Sequence, residues 1–361
     1  MRRALDLAER ARGLTSPNPM VGAVVVAGDE VVGEGYHRAA GQPHAEVEAL
    51  DAAGPSSRGA TLYVTLEPCT HQGRTPPCAP RVADAGVSRV VVAVADPNPL
   101  VAGRGLAALR DAGIDVAEGC LAAEAARQNR AFFHAMRAGR PHVTLKGAMT
   151  LDGKIADVRG VSRWITGEQA RRHAHRLRAE SDAIVVGIET VLHDDPELTV
   201  RLERPWPREP YRVVLDSRAR TPAGARLLTA GTPARTIVAV GSAAASASVA
   251  ALHALGVSVV HCIGPDARVD VSALLRDLHA REVRAVLVEG GGEVHAAFLE
   301  AGVVDRVAVF IGPALLGGRE ASSLVGGAGR DLKNWIGLGA FDVTHLGADL
   351  LIEADVVGAS R

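Results

Sequence analysis

Apolar positions in this chain come in short blocks, alternately spaced as helix faces and run together as strands. Over residues 1–13, Leu5, Leu7, Ala8 and Ala11 fall broadly on one side of a helix, which Thr15-Ser16-Pro17-Asn18-Pro19 stops. Two strand-like runs follow, 21–27 and 31–36, joined as a hairpin through Gly28-Asp29-Glu30. The pattern then predicts a helix over 44–53, a strand at 62–66, a helix over 78–85, a strand at 89–95, a helix over 102–112, a strand at 115–118 and one closing helix over 122–137. An opening hairpin followed by β-α alternation implies a mixed sheet with helices on both faces. Ala138-Gly139-Arg140-Pro141 breaks the pattern, so we place the domain boundary there, with domains 1–141 and 142–361. Beyond it the alternation resumes, with strands at 142–147, 183–186, 211–215, 236–240, 257–262, 285–288 and 306–311. Helices are predicted over 168–179, 243–255, 271–282 and 293–301. The two halves are different α/β units without an internal repeat.

Length and composition agree with this division. The 361 residues suit two domains, and 47% hydrophobic residues against 22% charged ones supply two cores. Aromatics are only 3%, so the cores rest on aliphatic side chains. A net charge of −1, with few aromatics for base stacking, argues against a nucleic-acid partner but leaves room for a local basic pocket holding one phosphate. Charges interrupt Met1–Arg10 before an apolar signal region could form. The longest apolar stretch, around 238–260, is rich in Ala and Ser and broken by His253, so no membrane span is expected. Four cysteines without a secretory signal point to a reducing, cytoplasmic setting. The sequence leaves oligomeric state open, a homo-oligomer included.

Candidate chemistry is densest in Pro43-His44-Ala45-Glu46, Glu67-Pro68-Cys69 and Pro76-Pro77-Cys78. Each of His44, Cys69 and Cys78 directly follows a proline, which favours the first helical position. His44 and Cys78 are therefore expected in first turns, where the positive end of the helix favours thiolate over thiol. One His and two Cys leave the fourth tetrahedral position of a zinc ion for water, the arrangement of a catalytic site. Glu46 would then move protons between that water, the substrate ring and the leaving ammonia. Residues at i and i+2 share a site only at a helix start, and Pro43 puts them there. Each of these residues alone would be read as core; together they read as zinc. Cys120 and Cys262 lack such context and receive no role.

These motifs resemble the cytidine-deaminase-like superfamily, a three-layer α/β/α fold. The eight residues between Cys69 and Cys78 depart from the C-x-x-C spacing of nucleic-acid deaminases. With Thr15-Ser16-Pro17-Asn18-Pro19-Met20-Val21-Gly22, Asp96-Pro97-Asn98-Pro99 and Val101-Ala102-Gly103-Arg104-Gly105, that insertion resembles the bifunctional deaminase/reductase family of riboflavin synthesis. The resemblance implies a diaminopyrimidinone substrate carrying a phosphoribosylamino group. It implies that Asn18, His37, His71 and Arg74 contact this substrate, Arg74 at the phosphate, with Asp96 and Asn98 shaping the pocket.

The second half lacks a dinucleotide fingerprint in its usual context. Its nearest segment, Gly290-Gly291-Gly292, follows an apolar strand and opens a helical pattern, where backbone N–H groups can approach phosphate. Lys146–Ala156, Ser162–Thr166, Thr190–Pro196, Leu198–Arg201 and Glu289-Gly290-Gly291 resemble, in order, the dihydrofolate-reductase-like reductase domain of the same family. The resemblance implies NADPH contacts from Ala148, Trp164, Thr190, Asp194, Ser217, Gly290, Gly291 and Gly292. It implies substrate contacts from Lys146, Ser162, Arg178, Leu198, Arg201 and Glu289. Hydride transfer to C1′ of the opened ribose needs a nearby acid, for which Lys146, Asp194 and Glu289 are candidates. The competing reading is a nucleic-acid or nucleoside deaminase with an accessory C-terminal binding domain, which the neutral charge and cysteine spacing oppose. A structural zinc in a non-enzymatic binding protein would need a fourth ligand, for which His71 and His37 are nearest in sequence.

Overall fold

The computed structural model describes residues 1–357. Its contacts divide into two compact units, Met1–Arg140 and a second from Pro141 onward.

In the first unit α1 (Arg2–Glu9) precedes β1 (Gly22–Ala27), β2 (Glu30–Tyr36), α2 (Ala45–Ala53), β3 (Thr61–Val64), α3 (Cys78–Asp84), β4 (Arg89–Val92), α4 (Arg104–Asp111) and β5 (Asp115–Glu118). The sheet order is β2-β1-β3-β4-β5. Strands β2, β1 and β3 pair antiparallel, and β3, β4 and β5 pair parallel. Small residues let helices lie close to the hairpin. A Cβ at Gly22 would fall 1.9 Å from the Ala4 carbonyl oxygen of α1, and one at Gly33 would fall 2.2 Å from that of Ala49 on α2. Gly35 and Ala45, Ala49 and Ala53 continue this contact, which fixes the helix that carries Glu46.

The single closing helix expected over 122–137 is two helices, α5 (Ala122–Gln128) and α6 (Arg130–Ala138). Asn129 separates them at φ −108°. Its buried amide accepts the Met20 N–H at 2.7 Å and donates to the Met20 carbonyl at 2.8 Å. A side chain pairing with a distant backbone outweighs helical continuity here.

The second unit runs β6 (His142–Thr150), α7 (Glu168–Ala179), β7 (Ala183–Gly187), α8 (Ile188–Asp194), β8 (Tyr211–Leu215), α9 (Arg226–Thr229), β9 (Thr236–Val240), α10 (Ser246–Ala254), β10 (Ser258–His261), α11 (Val271–Ala280), β11 (Ala285–Val288), α12 (Gly292–Glu300) and β12 (Arg306–Gly312). It ends in β13 (Gly337–Leu338), β14 (Asp342–Leu346) and β15 (Asp349–Val357). Strand order is β10-β9-β8-β7-β11-β6-β12-β15-β13, with β14 also paired to β15. Pairing is parallel from β10 to β12, and β15 is antiparallel to β12. Every residue of β7 and β9 is buried, as expected of parallel strands with both faces covered. Helices α11 and α12 cover one face of these strands, packing Leu274, Leu275, Leu278 and Phe298 against Val185 and Ile237. The sequence pattern did not predict the last three strands. In β14 most side chains are exposed, so no alternating apolar face marks it. The short helices α8 and α9 were also unforeseen.

Candidate active sites

In the first unit the three candidate ligands come from two helix starts and one strand exit. His44 is the N-cap of α2, with extended backbone (φ −75°, ψ 161°), and Glu46 follows in the first turn. Cys78 is the first residue of α3, capped by Pro77. The prolines thus lie just outside the helices, Pro77 one position and Pro43 two positions before the N1 position that proline favours. Cys69 is tied to α3 by the Ala79 N–H, which donates to its carbonyl at 3.0 Å. Ligand atoms of His44, Cys69 and Cys78 all lie within 4.8 Å of one another. His44 Nδ1 is 3.0 Å from Cys78 Sγ and 3.6 Å from Cys69 Sγ.

Electrostatics match the geometry. The hydrogen bond from the Cys78 thiol pulls Cys69 down to about 4, and the same bond with burial pushes Cys78 up. One proton thus serves two sulfurs beside an imidazole nitrogen, a donor set that suits zinc. Glu46 is 3% exposed, and burial raises its carboxyl to about 7 against the opposing effect of His44.

Several of the expected substrate residues meet around this cluster. The buried His37 ring lies edge-on to His44 at 5.2 Å. Its Nδ1 donates to the Pro43 carbonyl at 3.1 Å, so Nε2 accepts from the Asn18 amide at 3.1 Å. His71 Nδ1 is buried without a hydrogen-bond partner, whereas Arg74 is exposed on the same loop. Burial raises Asp96 to about 6, and its carboxylate accepts the Asn98 N–H at 2.8 Å. Sequence reasoning missed the role of Glu67. This buried carboxylate accepts backbone N–H groups of Asp96 (3.1 Å), Gly103 (3.0 Å), Gly105 (2.8 Å) and Leu106 (3.3 Å). It clamps the Asp96–Leu106 segment onto the turn that presents Cys69.

The second unit contains a cavity of about 530 Å³ at the carboxyl ends of its parallel strands. Lys146, Ala148, Ser162, Trp164 and Arg178 line it, together with Thr190, Asp194, Leu198, Arg201, Glu289 and Gly291. At its floor Arg178 and Glu289 form a bidentate pair, both contacts 2.7 Å, and Arg178 also donates to the Thr199 carbonyl at 3.0 Å. Burial alone would raise Glu289, but Arg178 and Lys146 outweigh it and hold the carboxyl at about 2. Lys146 lies 5.8 Å from the Phe310 ring centroid, and burial lowers its pKa against the pull of Glu289. The Ser162 hydroxyl donates to Asp194 at 3.3 Å. Trp164 is 69% exposed beneath the Arg171 guanidinium, 4.6 Å from its ring centroid. Leu198 adopts φ +53° and buries its side chain, so only its turn can present polar groups to the cavity. Arg201 reaches Glu197 at 3.1 Å.

Three expected cofactor residues lie outside this lining. Gly290 is pressed against β7, where a Cβ would fall 2.7 Å from Val186 Cα. Gly292 faces the Ser323 carbonyl, 2.8 Å from a would-be Cβ. Of the three glycines only Gly291, the N-cap of α12, opens into the cavity. Ser217 instead lines a second cavity of about 320 Å³ with Arg218, Arg220 and Arg268. His295, not foreseen as a site residue, also lines the first cavity; its Nδ1 donates to the Leu324 carbonyl at 2.8 Å.

A His-Cys-Cys cluster suited to zinc with a buried acid in one α/β unit, and a cavity of about 530 Å³ at the strand ends of another, define a hydrolytic deaminase and a reductase carried on one chain. Residues 1–94 match the cytidine and deoxycytidylate deaminase zinc-binding region, and residues 141–351 match the RibD C-terminal domain. The riboflavin biosynthesis protein RibD of Actinobacillus pleuropneumoniae is 42% identical over 358 residues, 99% of this chain and 94% of that protein. The RibD of Escherichia coli (strain K12) is 44% identical over 331 residues, 88% of each chain. Among solved structures, Acinetobacter baumannii RibD superposes with a TM-score of 0.90 at 40% identity, covering 99% of this chain and 97% of that one. A Thermotoga maritima diaminohydroxyphosphoribosylaminopyrimidine deaminase/5-amino-6-(5-phosphoribosylamino)uracil reductase gives 0.86 at 36% identity, with 99% and 97% covered. The chain belongs to the RibD family of bifunctional riboflavin-biosynthesis enzymes. Its cofactors are zinc for the deaminase and NADPH for the reductase. No helix among the described residues is long and apolar enough to cross a membrane.

Proposed function

We propose that the first unit deaminates 2,5-diamino-6-(5-phosphoribosylamino)pyrimidin-4(3H)-one and that the second then reduces the ribosyl group of 5-amino-6-(5-phosphoribosylamino)uracil to ribityl. The observation that carries the first half is the convergence of His44, Cys69 and Cys78 beside the buried Glu46. Zinc held by those three residues supplies a Lewis acid that makes water a nucleophile near neutral pH. Glu46, raised to about 7, is poised to hold a proton for the ring nitrogen and then pass one to the departing ammonia. Asn18, His37 and His71 offer polar groups to the pyrimidine, Asp96 and Asn98 shape the pocket, and Arg74 reaches for the phosphate from its exposed loop.

In the second unit NADPH supplies the hydride. Thr190, Asp194, Ala148, Trp164 and Gly291 would seat the reacting end of the cofactor in the larger cavity, with Ser217 marking its far end. Arg178 and Arg201 give the substrate phosphate a cationic wall. Glu289 is anionic at neutral pH and engaged by Arg178, so it orients that guanidinium and is a poor proton donor. Lys146, whose ammonium is weakened by burial, is the better donor to the ribose ring oxygen. Four free thiols fit a cytoplasmic enzyme.

The purified chain, given zinc, NADPH and the diaminopyrimidinone substrate, tests this directly. Ammonia release should proceed without NADPH, and NADPH absorbance should fall only once the deaminated intermediate is present. Oxidation of NADPH without prior ammonia release would overturn the order, and no ammonia release from zinc-loaded protein would overturn the deaminase assignment.

A further inference from the structure

The eight residues between Cys69 and Cys78 contain a second feature besides the candidate substrate contacts. Thr75 Oγ1 lies 3.0 Å from His44 Nε2, while the other ring nitrogen, Nδ1, faces Cys78 Sγ at 3.0 Å and Cys69 Sγ at 3.6 Å. A neutral imidazole carries one N–H, and the nitrogen that binds a cation must offer its lone pair. The proton then belongs on Nε2, where a hydroxyl oxygen can accept it. We propose that Thr75 is a positioning residue for the metal: it accepts the His44 Nε2–H and so holds the Nδ1 lone pair toward both sulfurs. This rests on the reading of His44, Cys69 and Cys78 as the ligands.

The local backbone suits the task. Thr75 is half-buried and its carbonyl accepts the Gly73 N–H at 3.2 Å, tightening the loop. Pro76 and Pro77 then fix φ at two successive residues before Cys78. The hydroxyl and the sulfur three positions later are thereby held in a nearly fixed relation. His71 and Arg74 stand on the same loop, so the segment that meets substrate also orients a metal ligand. A C-x-x-C spacing has no room for such a residue.

The test uses the full chain with Thr75→Val, which removes the hydroxyl at nearly constant shape, and Thr75→Ser, which keeps it. Zinc affinity is measured by competition with a chromophoric chelator, and the site is viewed through the visible bands of cobalt-substituted protein. Far-UV circular dichroism and the melting transition of the first unit report that the variants are folded. Thr75→Val should bind zinc about 10- to 100-fold more weakly and shift the cobalt bands, while Thr75→Ser stays close to the parent in both. Unchanged affinity and an unchanged cobalt spectrum in Thr75→Val would overturn the inference. Equal weakening in both variants would also overturn it, since packing rather than the hydroxyl would then matter. If the parent chain takes up no metal, the ligand assignment itself fails, and that outcome is distinct from the other two.

Discussion

The zinc cluster draws its ligands from three short motifs, and the distances between their donor atoms are set by two helix starts and one strand exit. The reductase cavity is assembled differently, from side chains spread between Lys146 and Leu324 on strands, helices and loops. In the first, chemistry allows few residue types, because a soft divalent cation accepts only certain donors at tight distances. In the second, the lining consists of glycines, aliphatic residues and common polar residues that serve structural ends equally well. The contrast shows in the charges too. The metal site gathers three donor atoms with no charged partner side chain of opposite sign among them, whereas the cavity floor already pairs Arg178 with Glu289. A site built on a metal is thus stated by its residues, while a cofactor site is stated mainly by its enclosure.

The contrast can be broken first at Glu46. Glu46→Gln should lower deamination by about 10²- to 10⁴-fold while zinc content, and NADPH oxidation on the already deaminated intermediate, stay at parent levels. Loss of zinc from that variant would mean that the carboxylate is itself a ligand. At the cavity floor, Glu289→Gln would leave the buried Arg178 cation without its partner, a cost of about 3–5 kcal/mol. Calorimetry should show a lower melting temperature for the second unit and an unchanged one for the first. The sign with pH follows from the depressed carboxyl: Glu289 contributes stability above its ordinary pKa of 4.5, and that contribution fades as pH falls toward about 2. The variant should lose this acid-side slope; a slope equal to the parent's would count against the pair. The smallest effect is expected at Gly291. An added Cβ there meets nothing closer than Thr190 Oγ1 at 3.9 Å, so Gly291→Val should fold and project its methyls into the cavity. NADPH affinity, followed by fluorescence titration, should weaken roughly tenfold, about 1.4 kcal/mol, with deamination untouched. Parent-level affinity would move the cofactor away from this turn.

Much of the fold was legible in the hydrophobic pattern, because strands such as Ala183–Gly187 and Ala285–Val288 are continuous apolar runs between helical patterns. What escaped had no such signal. The exposed β14 lacks an apolar face, and the break at Asn129 depends on Met20, more than a hundred residues away. Residues acting through a neighbour were equally hidden. Glu67 stands within a recognised motif, yet its four backbone partners come from the segment between Asp96 and Leu106. Gly290, Gly291 and Gly292 form one strand-to-helix turn, of which Gly291 lines the cavity while the missing side chains of the other two make room for Val186 and Ser323. A glycine run does not say which member opens into a cavity.

The central claim is that one chain carries two chemically independent sites, one dependent on His44, Cys69 and Cys78 and the other not. Cys78→Ser, measured for zinc content, ammonia release and NADPH oxidation on the already deaminated intermediate, tests it most directly. The account predicts that zinc and ammonia release are both lost while NADPH oxidation continues at the parent rate. Retained zinc with normal ammonia release, or loss of both activities in a protein that keeps its fold, would contradict it.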